Sequence, residues 1–135
     1  MRRGLILALI SVIFFGSSCL LPRYREARCI KQLQKDIKSN WVILEDIGPL
    51  FPVTYQRNDA FCNRVCDEYS KCLVGKKSKE DIKALFGERG INLQYSIKYH
   101  CKYKEGNELM CFQFAFNELD TLRDIRYRKC KYGDL

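Results

Sequence analysis

Residues 91–103 read Ile-Asn-Leu-Gln-Tyr-Ser-Ile-Lys-Tyr-His-Cys-Lys-Tyr, and this stretch decides between two folds for the second half of the chain. Apolar or aromatic side chains alternate with polar ones along it, which is the pattern of a half-buried β-strand. A strand needs a neighbour to satisfy its backbone hydrogen bonds. The pattern therefore predicts a β-hairpin at about 91–116 if the segment that follows can supply the second strand.

The following segment has the residues for such a strand. A turn at residues 105–106 would set Tyr99 opposite Phe112 and Ile97 opposite Phe114, so that aromatic and β-branched side chains meet across the two strands.

The same half of the chain also fits a helix. Its apolar residues recur at spacings of three and four, and the helical propensity of 108–126 is good. These apolar residues are Leu109, Phe112, Phe116, Leu119, Leu122 and Ile125, with Asn107 as a candidate N-cap. We favour the helical interpretation and keep the hairpin as the alternative.

Residues 29–47 carry the clearest helical pattern in the first half of the chain. Apolar side chains recur at spacings of three and four, and lysines occupy the opposite face. The apolar residues are Ile30, Leu33, Ile37, Trp41, Leu44 and Ile47. Gly48 followed by Pro49 is a typical helix end, because glycine adopts the capping conformation readily and proline cannot continue a helix. We predict one helix over 29–47 and an extended connection at 50–57.

Two further helices are predicted from their end signals. One begins at Asn58 or the residue after it and ends at Gly75. The other begins at Ser78, whose spacing to Asp81 is that of a capping box, and ends at the glycines that follow. The predicted fold class is thus mainly α: a small disulfide-stapled domain of four to five helices.

The N-terminus has the three parts of a secretory signal peptide. Two arginines follow the initial methionine, residues 4–15 are apolar, and the next three are small. The apolar run is shorter than the roughly 20 residues of a membrane-spanning helix. Cleavage after Ser18 would leave all eight cysteines, an even number, in the mature chain. We predict a signal peptide at 1–18, one cysteine-rich domain at 19–135 and an extracellular location.

Eight cysteines in 135 residues indicate disulfide cross-linking, as is usual in short exported chains. Cys62, Cys66 and Cys72 share one half of the helix predicted to begin at Asn58. Cys62 and Cys66 lie one turn apart and point the same way, so they cannot bond to each other. The cysteines predicted to form disulfides are Cys19, Cys29, Cys62, Cys66, Cys72, Cys101, Cys111 and Cys130.

Without the predicted signal peptide the chain has 22 basic and 16 acidic side chains, a formal net charge of +6, which favours acidic partners. Basic residues are densest near the C-terminus, where they interleave with tyrosines, and arginine side chains suit sulfate and carboxylate groups. A candidate site for an anionic partner therefore comprises Arg123, Arg126, Arg128, Lys129 and Lys131, although a solvated terminal helix face would have the same composition. The partner is predicted to be an extracellular protein, a sulfated glycan or an anionic membrane surface rather than nucleic acid, and the chain to be a monomer.

Six aromatic residues are candidates either for an apolar pocket or for the core. They are Tyr95, Tyr99, Tyr103, Phe112, Phe114 and Phe116. Their spacings favour core packing.

Enzymatic chemistry is not indicated. His100 is the only histidine, so catalysis by a histidine pair is impossible. A cysteine nucleophile would need a free thiol in an oxidising compartment. Cys62 and Cys66 have the spacing of a zinc-binding pair, but no second compact pair follows. We predict no catalytic residue, no metal and no cofactor.

The order of the cysteines resembles a known family of secreted domains. Cys29 on an early helix is followed by Cys66-Asp-Glu-Tyr-Ser-Lys-Cys72, then by Tyr99-His-Cys101, Met110-Cys111-Phe112 and a final Cys130. This order is similar to that of the nematode secreted cysteine-rich helical domains of the chondroitin-proteoglycan-4 type. The resemblance implies an extracellular, non-enzymatic helical domain. It does not extend to a proteoglycan role, because the chain has no Ser-Gly pair.

Insect odorant-binding proteins are a second comparison. Cys29, Cys62 and Cys66 are spaced like their first three cysteines, and Cys101 and Cys111 like their fourth and fifth, whereas Cys130 lies beyond the position of their sixth. The sequence predicts a secreted, non-enzymatic protein that binds an extracellular partner. The alternatives are a toxin-like or defence effector that acts on a cell-surface target or ion channel, and a carrier of a small hydrophobic ligand.

Overall fold

The structure is a computed structural model that describes the backbone of residues 2–131 and the side chains of residues 21–131. These residues form three helices: α1 (Arg2–Asn40), α2 (residues 59–73) and α3 (Lys79–Phe86). They also form six strands: β1 (Ile43–Glu45), β2 (Thr54–Gln56), β3 (Ile91–Leu93), β4 (Ser96–Lys102), β5 (Met110–Phe116) and β6 (Leu122–Lys129). The prediction of a mainly helical domain with four to five helices is wrong, because the fold combines helices with a mixed sheet.

The strands form one sheet in the order β1-β2-β4-β5-β6, and β3 pairs with β4 beside β2. β2 runs parallel to β4, while the other pairs are antiparallel. The sheet is therefore an antiparallel β4–β5–β6 meander with a short β1–β2 hairpin added at its side.

The β-hairpin that was the alternative prediction is present, with the register that the alternating pattern gave. Tyr99 lies opposite Phe112 and Ile97 opposite Phe114. The helix favoured over 108–126 is wrong, since β5 and β6 occupy that segment. Leu119, which belonged to the predicted apolar helix face, lies between the two strands and is 86% exposed.

The predicted helix over 29–47 is correct only as far as Asn40, where α1 ends. The chain then enters β1, and Ile47, assigned to the apolar helix face, is 73% exposed in the loop after this strand. Gly48 and Pro49 therefore lie in a loop rather than at the end of a helix. Trp41, the first residue after α1, packs on Tyr55 of β2 and donates a hydrogen bond to the Phe86 carbonyl, so the chain turns into the core at this point.

The other two helices begin where their end signals predict. The Asn58 side chain accepts a hydrogen bond from the Phe61 backbone N–H at the start of α2. Ser78 and Asp81 form the capping box of α3. α3 ends at Gly87, whose φ of 122° suits glycine and whose hydrogen faces the Tyr55 hydroxyl, where a larger side chain would clash.

The core lies between α2 and one face of the sheet. Phe61, Val65 and Leu73 of α2 are fully buried, as are Phe112 and Phe114 of β5. Leu33 is the fully buried contribution of α1 to the same cluster. The interior is filled by aromatic rings: the centroids of Phe112 and Phe114 are 4.7 Å apart, and those of Phe86 and Phe114 4.8 Å.

Trp41 lies at the centre of the aromatic contacts. Its indole stacks on Tyr55 with ring centroids 3.8 Å apart and meets Phe86, Tyr99 and Phe112 edge-on. Such offset and edge-on contacts each add to the free energy gained from burial alone.

Three polar groups of this cluster bind the carboxyl end of α3. The Trp41 indole N–H donates to the Phe86 carbonyl at 2.6 Å, and the Tyr55 hydroxyl donates to the same oxygen at 2.9 Å. The Tyr99 hydroxyl donates to the Gly87 carbonyl at 2.6 Å. Carbonyls at the end of a helix lack partners within the helix, so these donors satisfy groups that would otherwise be buried without one.

No helix among the described residues has the length and hydrophobicity that a membrane span requires. The predicted signal peptide at 1–18 falls on residues whose side chains lie outside the described part, so it stays a prediction.

Replacing Trp41 with Ala should lower the free energy of unfolding by about 3–5 kcal/mol, because it removes a large packed side chain and leaves a cavity among the rings. Urea unfolding followed by far-UV circular dichroism would measure this, since Trp41 is the only tryptophan and its fluorescence is lost in the variant. The exposed Leu119→Ala variant is the control and should change stability by less than about 0.5 kcal/mol. Equal effects of the two variants would contradict the central position of Trp41.

Candidate functional site: a charged groove between α1 and α2

α1 and α2 lie side by side and enclose a groove of about 990 Å³, which we call the interhelical groove. The Cys29–Cys72 disulfide joins the helices at one level, and the Asp36–Arg64 ion pair joins them further along. The order of these contacts shows that the two helices run antiparallel. Both pairs line the groove, so a covalent bond and an ion pair fix its width.

The α1 wall of the groove is a stripe of polar residues. Arg25, Arg28, Gln32 and Asp36 are spaced by three, four and four residues, which places them on one face of the helix. The α2 wall contains Arg64 and Tyr69, and Lys71, also in the lining, is exposed. The groove is therefore polar on both sides.

Asp36 is the centre of a hydrogen-bond network inside the groove. Its two carboxylate oxygens each accept a hydrogen bond from the Arg64 guanidinium at 2.9 Å. The Tyr69 hydroxyl donates to it at 3.0 Å, and the Asn40 side-chain amide donates at 2.6 Å. The fork-to-fork geometry of the arginine pair is strong and directional.

A π-helical turn in α2 brings the partners of Asp36 together. Residues Val65–Tyr69 form this turn, in which hydrogen bonds run from residue i to i+5. Arg64 and Tyr69 are five residues apart, a spacing that would diverge around a regular α-helix. The wider turn lets both side chains reach Asp36.

The network changes the acidity of its members. Hydrogen bonds from Arg64 lower the pKa of Asp36 below its usual value, although burial opposes this shift. Burial and the hydrogen bond to Asp36 raise the pKa of Tyr69. Asp36 is therefore a carboxylate at neutral pH, and its charge is matched by Arg64.

Basic residues exceed acidic ones in the groove. Its lining contains five basic and three acidic side chains, and the Asp36–Arg64 pair accounts for one of each. Lys76 lies 3.8 Å from Glu26. Arg25, Arg28 and Lys71 are exposed at the groove with no ion pair among those the structure shows, so their charges are available to an anion.

The basic residues that the sequence singled out near the C-terminus lie on and just after a strand rather than on a helix. Successive side chains of β6 point to opposite faces of the sheet. Arg126 and Arg128 are in register with Gln113 and Cys111 of β5, on the face away from the core, whereas Lys129 is in register with Met110 of the core face.

Two of these basic residues also have acidic neighbours. Arg126 pairs with Asp124 at 2.6 Å and Lys129 lies 3.6 Å from Glu108. Arg123 is exposed at the start of β6, and Lys131 follows the strand. The strand thus distributes the predicted cluster over two faces.

The six aromatic residues considered as pocket walls separate into two groups. Tyr99, Phe112, Phe114 and Phe116 are buried in the core. Tyr95 and Tyr103 are about half exposed: 49% and 50%. The first group belongs to the core and the second to the surface, so the six residues do not line an apolar pocket. The interhelical groove is lined by charged residues.

Four of the predicted disulfide cysteines are joined in the structure. Cys29 bonds to Cys72 across 43 residues, and Cys111 bonds to Cys130 across 19. Cys62, Cys66 and Cys101 are present as thiols, and Cys19 falls outside the described side chains. As predicted, Cys62 and Cys66 are not joined to each other.

One group of side chains has the proximity of metal ligands. The donor atoms of His100, Cys111 and Cys130 lie within 4.8 Å of one another. The two sulfur atoms are joined in a disulfide, so they are not thiolates and cannot coordinate a metal in this state.

Comparison with known proteins gives no identification: no protein-family model, no curated protein and no solved structure matches the chain significantly. The assignment of a function therefore rests on the residues themselves.

The groove was not predicted from the sequence, although its α1 wall forms a stripe that the sequence contains. Arg25, Arg28 and Asp36 fall on one face of the helix, on the side of Cys29. The Cys29–Cys72 bond places this stripe beside α2, and that pairing could not be predicted from the cysteine spacing alone.

Asp36→Asn should lower the free energy of unfolding by about 1–3 kcal/mol at pH 7, because a carboxylate with charge-assisted hydrogen bonds becomes a neutral amide. The folded state holds the pKa of Asp36 below its usual 3.8. Its contribution is therefore present above the unfolded value and is lost as pH falls through the lower folded value. Urea titrations at several pH values should show the wild type and the variant converging in acid.

The control for this experiment is Glu118→Gln, a charge-neutralising change in an exposed loop, which should be indistinguishable from the wild type throughout. A deficit of Asp36→Asn that persists unchanged at the lowest pH would show that the Asp36 charge is not the source of the effect.

Proposed function

We propose that the chain is a secreted, disulfide-cross-linked protein that catalyses no reaction and binds a sulfated glycan of the extracellular space through the interhelical groove. The observation that carries this proposal is the excess of basic residues in a groove whose walls are joined by Cys29–Cys72.

Three further features support this function. Without the predicted signal peptide at 1–18 the chain has 22 basic and 16 acidic side chains, a formal net charge of +6, so a polyanion is attracted at long range before it contacts the groove. The N-terminal residues have the pattern of a secretory signal, and the disulfides are typical of exported proteins. Arginine side chains donate paired hydrogen bonds to sulfate oxygens.

The chemistry of the groove favours a glycan over a hydrophobic ligand. A hydrophobic ligand needs a concave site lined mostly by apolar side chains. The groove lining instead contains eight charged residues, and four of the six aromatic residues considered for an apolar site are buried in the core. A repeating polyanion suits an elongated charged groove better.

Neutralising the groove should weaken binding to heparin. The variant Arg25→Gln/Arg28→Gln/Lys71→Gln removes the three exposed groove charges that have no ion pair in the structure. We expect its affinity to fall by about tenfold or more, as three exposed charge contacts of under 1 kcal/mol each would give. Isothermal titration with a heparin oligosaccharide would measure it, and the variant should elute from heparin at lower salt.

The matched control is Arg123→Gln/Arg126→Gln/Lys129→Gln, which removes the same number of charges from β6. It should retain most of the affinity, because the change in net charge is identical and only the position differs. If the β6 variant loses the binding and the groove variant keeps it, the glycan site lies on β6 and the groove proposal fails. Circular dichroism of both variants establishes that each is folded.

A further inference from the structure

Two of the remaining thiols meet inside the core. Cys62 of α2 and Cys101 of β4 are both fully buried and belong to the same hydrophobic cluster. The Cys101 side chain is the first cause of the raised pKa of the Cys62 thiol, so the two side chains are neighbours. Cys101 is in register with Tyr55 and Met110, whose side chains are buried on the core face, so it points from the sheet towards α2.

We propose that Cys62 and Cys101 form a third disulfide, which joins α2 to β4 through the core. The two disulfides in the structure join α1 to α2 and β5 to β6. Neither joins a helix to the sheet. The third bond would therefore connect the two covalently cross-linked halves of the molecule.

Cys66 cannot replace Cys101 as the partner of Cys62. It follows Cys62 by one turn of the same helix, and two cysteines in that relation do not reach the geometry of a bond. Its side chain is only half-buried, and the charges near it are Asp67 and Asp124 of the surface.

The bond forms by thiol–disulfide exchange. One cysteine attacks the disulfide of an oxidant, which is glutathione disulfide or the active-site disulfide of a thiol oxidoreductase in the secretory pathway. A mixed disulfide forms, and the second cysteine displaces the oxidant sulfur. The two cysteines lose two protons and two electrons, and the oxidant leaves as a pair of thiols. Cys29–Cys72 and Cys111–Cys130 require the same class of oxidant.

The bond should form before the core closes. The hydrogen bond with Cys101 and burial raise the pKa of Cys62, so its thiolate, the form that attacks a disulfide, is scarce once the protein is folded. Oxidation is then expected while α2 is still docking on the sheet.

Peptide mapping of the secreted wild-type protein tests the proposal. The full chain is exported from a eukaryotic host, denatured and alkylated with iodoacetamide without reductant, then digested with trypsin. The basic residues of the chain place Cys62 on peptide 58–64, Cys66 on 65–71 and Cys101 on 99–102. We expect mass spectrometry to find 58–64 linked to 99–102, with the link removed by a reductant.

The proposal is overturned if 58–64 and 99–102 are both recovered as separate alkylated peptides, or if either is linked to 65–71. The peptides that contain Cys29–Cys72 and Cys111–Cys130 serve as controls in the same digest, because their linkage shows that the native pairing survived.

Two variants distinguish a specific bond from nonspecific oxidation. Cys66→Ala should leave the link between 58–64 and 99–102 intact, whereas Cys62→Ala should leave 99–102 alkylated. A Cys66→Ala protein in which 58–64 and 99–102 are both recovered as separate alkylated peptides would overturn the assignment. Because the wild-type map decides the question by itself, failure of the Cys62→Ala variant to fold does not affect the test.

Discussion

The end of α3 is the point on which the arrangement of the other elements depends. Its last carbonyl oxygens cannot be satisfied within the helix, and that of Phe86, a buried residue, lies against the core. Trp41, Tyr55 and Tyr99 donate to them from three different parts of the chain, and the rings of the same residues fill the space around Phe86. The position of each donor residue is therefore constrained twice. Its polar group must reach a carbonyl oxygen, and its ring must pack on the neighbouring rings. It ties the end of α1, β2, β4 and α3 to one place and explains why α1 stops at Asn40.

The second half of the chain shows why periodicity alone could not choose between strand and helix. Leu122 and Ile125 are three residues apart and both are buried, which is a helical spacing. In the structure they share the core face of β6 because the register shifts between Ala115 and Phe116, where a bulge changes the alternation of side chains. A bulge in a strand thus gives buried side chains the three-residue spacing that is also typical of a helix. Leu119 also fitted the stripe, but it is exposed in the β5–β6 connection. The hairpin register followed from the alternating pattern because no bulge interrupts β4 and β5 between Ile97 and Cys101.

Structural features whose interacting residues are close together in the sequence were predictable. Features whose interacting residues are far apart in the sequence were not. Asn58, Ser78 and Asp81 cap their helices with groups only three residues away, so the sequence contains the whole interaction. The end of α1 is different, because the partner of Trp41 lies 45 residues further along the chain. The basic residues of β6 were correctly recognised as a concentration of charge, but strand alternation distributes them over two faces. The groove needed knowledge that Cys29 pairs with Cys72, one among many pairings that eight cysteines allow.

The cross-links explain how a charged groove can persist beside a small core. Residues that bind an anion must stay exposed and cannot contribute the burial that normally holds two helices together. Between α1 and α2 the groove walls include charged side chains, and Leu33 is the fully buried residue that α1 supplies. The disulfide between Cys29 and Cys72 compensates, because it restricts the unfolded chain and contributes about 2–4 kcal/mol without any apolar area. The Asp36 network then fixes the relative rotation of the two helices, since its bidentate geometry tolerates little displacement. Stability at this site therefore comes from a covalent bond and a directional ion pair in addition to the apolar contacts of Leu33, Ile30 and Ile37, and most charged side chains of the groove stay exposed.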